Sequence, residues 1–343
     1  MEFLVLFGGY IVVFSIVASV CLCYIQAVDK LLARTTEFVK GRLLVFTKRL
    51  PSPVQHVAFR TYSYVFLERN ALLQLSYIFL VALGHTVLIK DVIPHHQQSH
   101  HNDSDKHNIL LIPVVLLLSN GISFYLVSKS DPGVITDTNL KCYCDRYHYD
   151  GILYKPNKKC ITCDFIKPAR SKHCAYCNKC IFRFDHHCFW TNQCIGGLNY
   201  HYFFAFLVSA TLMSANAVVM GVQALLGIID SRDMWNMFFI DKSGQKQQVT
   251  VRILCQNLFM QYPRTVFMVA SLFATSVFLL GLTSYHGYLI LTNQTTNERY
   301  KTVEVTDRNL IKSRNQPYNR GVWCNLTEIF WSSYSRKRRK FRK

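Results

Sequence analysis

The stretch from Cys160 to Cys194 carries the clearest chemistry in this sequence, with seven cysteines and three histidines in 35 residues. One spacing, Cys-x2-Cys-x9-His-x6-Cys, occurs twice, and the second copy is offset by fourteen residues. Three thiolates and one imidazole make the full ligand set of a closed tetrahedral zinc site. The repeat therefore predicts two structural zinc ions, the first held by Cys160, Cys163, His173 and Cys180 and the second by Cys174, Cys177, His187 and Cys194.

A second grouping of the same eight ligands stays open at this stage. Taken in chain order, residues 160, 163, 173 and 174 would hold one ion and residues 177, 180, 187 and 194 the other, which breaks the repeat. In either case metal binding would be coupled to folding, because the segment is too short for an apolar core of its own. A disulfide-rich loop is disfavoured, since oxidised pairs give no reason for a doubled spacing.

Cys188 and His186 are left without a metal in this scheme. Cys188 follows Cys174 by fourteen residues, but a third copy would need its next cysteine where Thr191 stands. A free thiol two residues from an imidazole, with Asp185 beside it, has the parts of a Cys-His-Asp nucleophile. His186 would take the thiol proton, and Asp185 would fix the tautomer of the imidazole and stabilise its charged form. The alternative is a buried structural cysteine beside a surface histidine.

The ligand spacing, the motif Asp185-His186-His187-Cys188, Asn199 and Phe203 together resemble the DHHC-type protein S-acyltransferases without a gap. The resemblance implies a palmitoyltransferase that moves a long-chain acyl group, with palmitoyl expected, from acyl-CoA to cysteine thiols through an acylated Cys188. Its implied partners are acyl-CoA, membrane-associated proteins with cytosolic cysteines and the lipid bilayer. Phe189 departs from the pattern, because many members of the family have proline there.

Further motifs extend the resemblance over about residues 128–330. The segment Thr295-Thr296-Asn297-Glu298 matches the family's TTxE motif, whose second threonine is implied to contact the catalytic aspartate. Asn325 matches an asparagine that ties the C-terminal tail to the core. Lys167 and Arg170 match residues associated with the coenzyme A headgroup, and a guanidinium fork beside lysines is a common way to hold phosphates.

Half of the residues are hydrophobic, and five apolar runs without charged residues are long enough to span a membrane. These predicted spans are 3–28, 71–89, 109–127, 202–229 and 265–291. The expected fold is an α-helical polytopic membrane protein with about five transmembrane helices and a small cytosolic two-zinc cysteine-rich domain between spans three and four. His85 and His286 lie inside spans, where ionisable residues are functional candidates, although polar packing is the simpler interpretation.

Basic residues predict the topology. The segments 29–70, 128–201 and 292–343 contain 8, 11 and 13 Lys and Arg residues, against 2 in 90–108 and 5 in 230–264. The positive-inside rule makes the three richer segments cytosolic, in a reducing compartment that keeps thiolates available. The expected regions are an N-terminal anchor (1–28), a basic loop (29–70), spans two and three (71–127), the catalytic zinc domain (128–201), spans four and five (202–291) and a C-terminal tail (292–343).

The formal net charge of +19 does not call for a nucleic acid, because cytosolic basic loops of a membrane protein account for it. The basic end, Arg336 to Lys343, favours an anionic membrane surface and indicates the endoplasmic reticulum and/or the Golgi membrane. Two other classes stay open. A non-catalytic zinc-stapled membrane scaffold would need only the two zinc copies. A transporter or channel would need more polar residues in its spans than His85, His286, Asn120, Asn216 and a few Ser and Thr.

Overall fold

The computed structural model describes residues 70–98, 110–240, 244–307 and 316–331, with a few isolated positions between 53 and 68. The predicted first span, most of the basic loop and the basic C-terminal end lie outside these residues. Contacts divide the chain into two compact units, Met1–Leu72 and Leu73–Lys343. All elements below belong to the second unit, apart from the first residue of helix α1.

Four helices in the described part of the chain are long and apolar enough to cross a membrane, and they confirm four of the five predicted spans. The bounds of the last three differ from the predicted ones by two residues at most. The helices are α1 (Leu72–Val87), which continues through a π-helical turn (Leu88–Val92) into α2 (Ile93–Gln98), then α3 (Leu111–Lys129), α5 (Tyr200–Ser231) and α7 (Pro263–Leu291).

Helix α5 is the central span, because it packs against both α3 and α7. Gly221 allows the close approach of α7, since a Cβ at this position would lie 2.4 Å from the side chain of Val269. Between α3 and α5, buried Asn120 donates to the hydroxyl of Ser209 at 3.2 Å and accepts a hydrogen bond from Tyr77. These polar groups satisfy one another, as buried groups in an apolar solvent must.

The connection between α5 and α7, predicted only as a loop, contains regular structure. Strands β5 (Phe238–Ile240) and β6 (Lys246–Gln248) form a hairpin, and helix α6 (Val251–Gln261) follows. Leu254 and Leu258 are buried and pack in a cluster with Ile228 and Ile229 near the end of α5. Apolar residues four apart line one face of a helix, and their burial holds α6 in place.

The cysteine-rich domain lies between α3 and α5 and consists of one short helix and two similar hairpins. Helix α4 spans Leu140–Cys144, and the strands are β1 (Lys172–Cys174), β2 (Lys179–Ile181), β3 (His186–Cys188) and β4 (Gln193–Ile195). Pairing of β1 with β2 places His173 opposite Cys180, and pairing of β3 with β4 places His187 opposite Cys194. The repeat in the sequence is therefore a repeat of hairpins.

A tight turn at the end of α3 attaches this domain to the spans. The side chain of Asp131 accepts a hydrogen bond from the amide of Gly133 at 2.8 Å, and Gly133 has a φ of +101°, which favours glycine. The carbonyl of Gly133 accepts from the amide of Phe182 at 2.9 Å. On the other side Gly196 has no room for a side chain, because a Cβ there would lie 2.5 Å from the carbonyl oxygen of Pro132.

The C-terminal part returns to the cytosolic end predicted for α7. It contains α8 (Thr296–Asp307) and α9 (Val322–Phe330). Asn325 in α9 is buried, and its amide donates to the carbonyl of Leu291, the last residue of α7, at 2.6 Å. Its side-chain oxygen accepts from the amide of Arg320 at 3.1 Å. The first bond links the tail to α7, and the second fixes the turn that leads into α9.

Candidate active site

The eight predicted zinc ligands come together as two interleaved groups. In each group of four, the ligand atoms all lie within 4.8 Å of one another. The alternative grouping in chain order is therefore wrong, because it divides ligands that the hairpins bring together. The groups are Cys160, Cys163, His173 and Cys180, and Cys174, Cys177, His187 and Cys194.

The distances within each group fit a tetrahedral zinc ion. The Nδ1 atom of His173 lies 3.4 to 3.7 Å from the three sulfurs of its group. The Nδ1 atom of His187 lies at the same range of distances from the three sulfurs of the second group. A zinc ion with bonds of about 2.3 Å to sulfur and about 2.0 Å to nitrogen would separate these ligand atoms by roughly 3.6 Å. Both the donor chemistry and the spacing therefore fit structural zinc.

Cys188 begins a third turn of the same kind, one that has no second cysteine. Asp164, Asn178 and Asn192 follow one another by fourteen residues, and all three have left-handed backbones, with φ values of 58°, 51° and 50°. The first two directly follow the Cys-x2-Cys pairs, and Asn192 directly follows Thr191. The hydroxyl of Thr191 donates to the carbonyl of Cys188 at 3.4 Å. The fold thus places Cys188 where the other two turns have the first cysteine of a Cys-x2-Cys pair, but Cys188 has no partner thiolates.

The thiol of Cys188 lies where the cysteine-rich domain meets the membrane helices. Cys188 is only 7% exposed and belongs to an apolar cluster with Val127 of α3, Phe203 and Phe206 of α5 and Ile290 of α7. An apolar group attached to this sulfur would enter a region that is already lined by three spans. Few water molecules have access to it.

Asp185 and His186 form the hydrogen-bonded pair predicted from the motif. The imidazole Nδ1 donates to the carboxylate of Asp185 at 2.7 Å, and the backbone amide of Thr296 donates to the other carboxylate oxygen at 2.8 Å. Burial raises the pKa of Asp185, but the hydrogen bond and charge of His186 outweigh burial and lower this pKa to about 2. The carboxylate is therefore ionised and holds the ring through Nδ1.

The same pair acts on the thiol. Burial lowers the pKa of His186, but its hydrogen bonds to Asp185 and Cys188 outweigh burial and raise that pKa to about 10. Burial raises the pKa of Cys188, and the hydrogen bond and charge of His186 outweigh it, so that the pKa of the thiol is lowered. The arrangement favours a thiolate paired with an imidazolium, which is an activated nucleophile.

The TTxE segment contacts Asp185 through its backbone, and the donor is the amide of Thr296. Thr295 and Glu298 fix this amide in place. The amide of Thr295 donates to the carboxylate of Glu298 at 2.9 Å, and the hydroxyl of Thr295 accepts from the amide of Glu298 at 3.2 Å. This reciprocal capping box begins α8 and directs its first amide at Asp185.

Arg170 corrects the sequence prediction, because it does not face a ligand. It is 0% exposed, and its guanidinium donates to both carboxylate oxygens of Glu298 at 2.7 and 2.9 Å. It also donates to the side chain and carbonyl of Asn293 at 3.0 and 2.8 Å, and it lies over the rings of Tyr147 and Tyr318. With these four hydrogen bonds and no exposure to solvent, Arg170 joins the zinc domain to Asn293 and to the first turn of α8, and it does not face a site open to a phosphate.

A Glu298→Gln variant is expected to lower the midpoint of thermal unfolding, because it removes the carboxylate that is hydrogen-bonded to the buried Arg170 and leaves only Glu328, 4.0 Å from the guanidinium, to balance the charge. Such a loss costs on the order of 3 kcal/mol. Lys159→Gln is the matched control, since Lys159 pairs with Asp164 at the surface, where both side chains are more than half exposed. Equal unfolding midpoints for the two purified variants would contradict the structural role given to this ion pair.

Two further predicted residues have different surroundings. Asn199 is buried, accepts from the amide of Gly196 at 2.9 Å and donates to the carbonyl of Cys194 at 2.9 Å, so it fixes the turn between β4 and α5. Phe189, which stands at the family's proline position, packs edge to face on Tyr176 with ring centres 4.9 Å apart. An aromatic cluster accommodates this departure from the family pattern.

Sequence reasoning missed Asn293 and Arg183. Asn293 accepts from Arg170 and also from Arg183, at 3.1 Å, and its amide donates to the carbonyl of Tyr318 at 3.0 Å. Single asparagines outside a recognised motif carry no signal of this kind. Only the fold shows that Asn293 connects the zinc domain, the end of α7 and the tail.

Fold and site together define a class of protein: a multi-pass membrane protein in which two zinc-type clusters hold a buried Cys-His-Asp set at the ends of the spans. Comparison with known proteins narrows this class. Residues 153–303 match the DHHC palmitoyltransferase family. The chain is 31% identical to Palmitoyltransferase ZDHHC4 of Rattus norvegicus, with 99% of this chain and 100% of the relative covered.

Two other relatives agree with this match. The chain is 32% identical to Palmitoyltransferase ZDHHC4 of Bos taurus over 96% of each chain. It is 35% identical to Palmitoyltransferase swf1 of Aspergillus fumigatus over 66% of this chain and 57% of the relative. The chain belongs to the DHHC palmitoyltransferase family.

Proposed function

We propose that this protein is a protein-cysteine S-palmitoyltransferase that transfers a long-chain acyl group from acyl-CoA to cysteine thiols of membrane-associated proteins. One observation carries the proposal: the buried thiol of Cys188 follows the hydrogen-bonded pair Asp185–His186 by two residues and lies among apolar side chains of three spans. A reactive sulfur at such a place suits a substrate that has a thioester at one end and a hydrocarbon chain behind it.

In the first step the Cys188 thiolate attacks the carbonyl carbon of the acyl-CoA thioester. The bond between this carbon and the sulfur of coenzyme A breaks, and the leaving thiolate takes the proton from His186. Asp185, ionised and fixed by its hydrogen bonds, stabilises the imidazolium before transfer and keeps the ring in one orientation. The product is an acyl thioester on Cys188.

In the second step a cysteine thiol of the acceptor protein gives its proton to His186 and attacks the acyl carbon. The bond to Cys188 breaks, and Cys188 returns as a thiolate paired with the imidazolium. One thioester replaces another in each step, so the free energy changes little, and catalysis depends on proximity and on a competent thiolate.

The membrane helices would hold the acyl chain. Each buried CH₂ group contributes about 0.8 kcal/mol, so a palmitoyl chain would contribute on the order of 10 kcal/mol before ordering costs. Acceptors gain from the reaction as well, because a second lipid converts marginal membrane attachment into stable attachment. These magnitudes support membrane-associated acceptor proteins over soluble ones.

The coenzyme A end requires positive charge, and since Arg170 is buried we assign this role to lysines. Burial lowers the pKa of Lys301, and together with the positive charges of Lys172, Lys158 and Lys167, and against the opposing effect of Glu298, it brings this pKa to about 8. An anion bound beside Lys301 would offset the positive charges of the three other lysines around it. On this ground we assign Lys167 a part in binding the phosphates.

A Lys301→Ala variant is expected to raise KM for palmitoyl-CoA about tenfold and to leave kcat nearly unchanged, because uniform binding energy is lost. The sharper test repeats the measurement with palmitoyl-pantetheine, which lacks the nucleotide phosphates, and there the variant and the wild type should be equal. Lys179→Ala, in the exposed part of β2, is the control. Equal KM values for palmitoyl-CoA in all three proteins would exclude this phosphate site.

Labelled palmitoyl-CoA tests the function itself. Detergent-solubilised protein with both zinc ions bound should acquire label that hydroxylamine removes, and a myristoylated peptide with a cysteine should then remove that label from the protein. A peptide without the myristoyl group should receive it more slowly. If zinc-loaded protein acquires no label, a non-catalytic zinc-stapled scaffold becomes the better explanation.

For the compartment we propose the endoplasmic reticulum and/or Golgi membrane, with the zinc domain in the cytosol. The basic end, Arg336 to Lys343, is the ground for the compartment. The distribution of Lys and Arg, with 13 such residues in segment 292–343 and 2 in segment 90–108, supports the topology. Selective permeabilisation with a tag at the C-terminus and a second tag in 230–264 tests this topology. Both tags accessible from the cytosol would contradict the topology.

A further inference from the structure

His286 of α7 is a buried imidazole next to the candidate active site. It is 3% exposed, and its ring centre lies 6.0 Å from that of His186. The hydroxyl of Tyr200, the first residue of α5, shares a hydrogen bond of 2.8 Å with its Nδ1 atom. His85, the other histidine inside a predicted span, instead meets the carbonyl of Val81 in its own helix at 2.8 Å. Packing alone explains His85, whereas His286 has a specific partner on another span.

Phe203 connects the two imidazoles. Its ring centre lies 5.0 Å from that of His186 and 5.0 Å from that of His286, edge to face in both cases, with interplanar angles of 71° and 78°. Edge-to-face packing of this kind has a preferred geometry and resists rotation of the rings. The orientation of His286 is therefore transmitted to His186 through direct contact and through one shared neighbour.

His186 needs such support because its ring must serve two partners, Asp185 through Nδ1 and Cys188 through the second nitrogen. The bond to Asp185 fixes one ring atom, and the plane of the ring must still be right for the second nitrogen to reach Cys188. The side chain of His186 is only 18% exposed, so most of its ring surface is in contact with protein groups and not with water. The aromatic groups on the buried side must therefore determine the plane of the ring.

We propose that Tyr200 and His286 form a positioning pair for His186. Their hydrogen bond joins α5 to α7 at the level of the active site and holds the His286 ring against Phe203 and His186. Neither residue would touch the reacting atoms. This inference rests on the proposed function only in that acylation of Cys188 is one of its two readouts.

The test uses Tyr200→Phe and His286→Phe, which remove the hydrogen bond but keep a ring of similar size, and the double variant. Two rates are measured for each protein: label uptake from palmitoyl-CoA before steady state, and alkylation of Cys188 by iodoacetamide, which needs no acyl-CoA. Thr283→Val is the matched control. Thr283 shares a 2.9 Å hydrogen bond with Thr211 between the same two helices.

Each single variant should slow both rates about tenfold, with zinc content and KM for palmitoyl-CoA unchanged. The double variant should be no slower than the slower single variant, because both changes break one interaction. Thr283→Val should match the wild type. If His286→Phe loses zinc, His286→Asn, which keeps a polar group but lacks the ring, is measured in its place and should also be slow.

Several results would overturn the proposal. Rates equal to those of Thr283→Val would exclude a positioning role, and so would additive effects in the double variant. A raised KM with unchanged alkylation would mean that the pair serves acyl-CoA binding instead. Failure of the wild type to acquire label would refute the proposed transferase activity alone, since alkylation would still show whether the pair orients His186.

Discussion

A Cys188→Ser variant is expected to acquire no hydroxylamine-sensitive label from palmitoyl-CoA, a loss of roughly 10³-fold or more. The reason is that a thiol is far more acidic than a hydroxyl. His186 lowers the pKa of the Cys188 thiol, whereas a serine hydroxyl at the same place would remain protonated and weakly nucleophilic. Any ester formed on serine would also resist mild hydroxylamine. The measurement is label per chain for wild type and variant at matched zinc content.

The controls separate chemistry from folding. Cys188 is no zinc ligand in either group, so the variant should keep two zinc ions per chain and the wild-type unfolding midpoint. Cys142→Ser and Cys324→Ser change exposed cysteines and should keep full label. If Cys188→Ser kept its label and one of these variants lost it, the acyl group would be on the wrong cysteine for the proposed mechanism.

The parts of this structure that the sequence predicts are those set by local spacing. Zinc ligands follow from a repeat of fourteen residues because each hairpin brings its own histidine opposite its own cysteine. Spans follow from uncharged apolar runs because a bilayer selects for length and hydrophobicity alone. The pairing of Asp185 with His186 follows from their adjacency in the chain.

The parts that the sequence does not predict depend on contacts between distant segments. Arg170 and Glu298 are 128 residues apart, and nothing local shows that the carboxylate would take the guanidinium away from a phosphate. The contact of Thr296 with Asp185 was expected from the family motif, but its origin in a backbone amide depends on the capping geometry of α8. His286 was a candidate on general grounds, yet only the packing of α5 on α7 places it beside His186.

The offset of fourteen residues from Cys174 to Cys188 reflects a third turn of the zinc-binding kind. From the sequence alone, the offset shows only that Thr191 cannot serve as a ligand. In the structure the third turn keeps the same backbone shape, with Asn192 in the left-handed region like Asn178 before it. The turn shape that directs sulfur at a metal in the two zinc groups here carries a sulfur that belongs to neither group, so the thiol stays uncoordinated and can act as a nucleophile.

A Cys174→Ala variant is expected to lose the folded cysteine-rich domain, because zinc coordination contributes about 10 kcal/mol or more to domains that cannot fold without it. Cys174 belongs to β1 directly after His173, a ligand of the other ion, and is buried with Ile181 and Phe184. The variant should bind at most one zinc ion, be cleaved rapidly by trypsin and acquire no label, since Cys188 directly follows the zinc ligand His187.

Cys142→Ala, a change at an exposed cysteine of the same domain, should retain two zinc ions, trypsin resistance and label. The double variant Cys174→Ala/Cys177→Ala then tests the pairing, because both residues belong to one group in the interleaved arrangement. It should lose no more zinc than Cys174→Ala alone. Loss of a further ion in the double variant would place these two cysteines in different sites. A second outcome concerns the mechanism. If Cys174→Ala and Cys188→Ser behave alike in all three measurements, the division between structural and reactive thiols, on which the mechanism depends, is wrong.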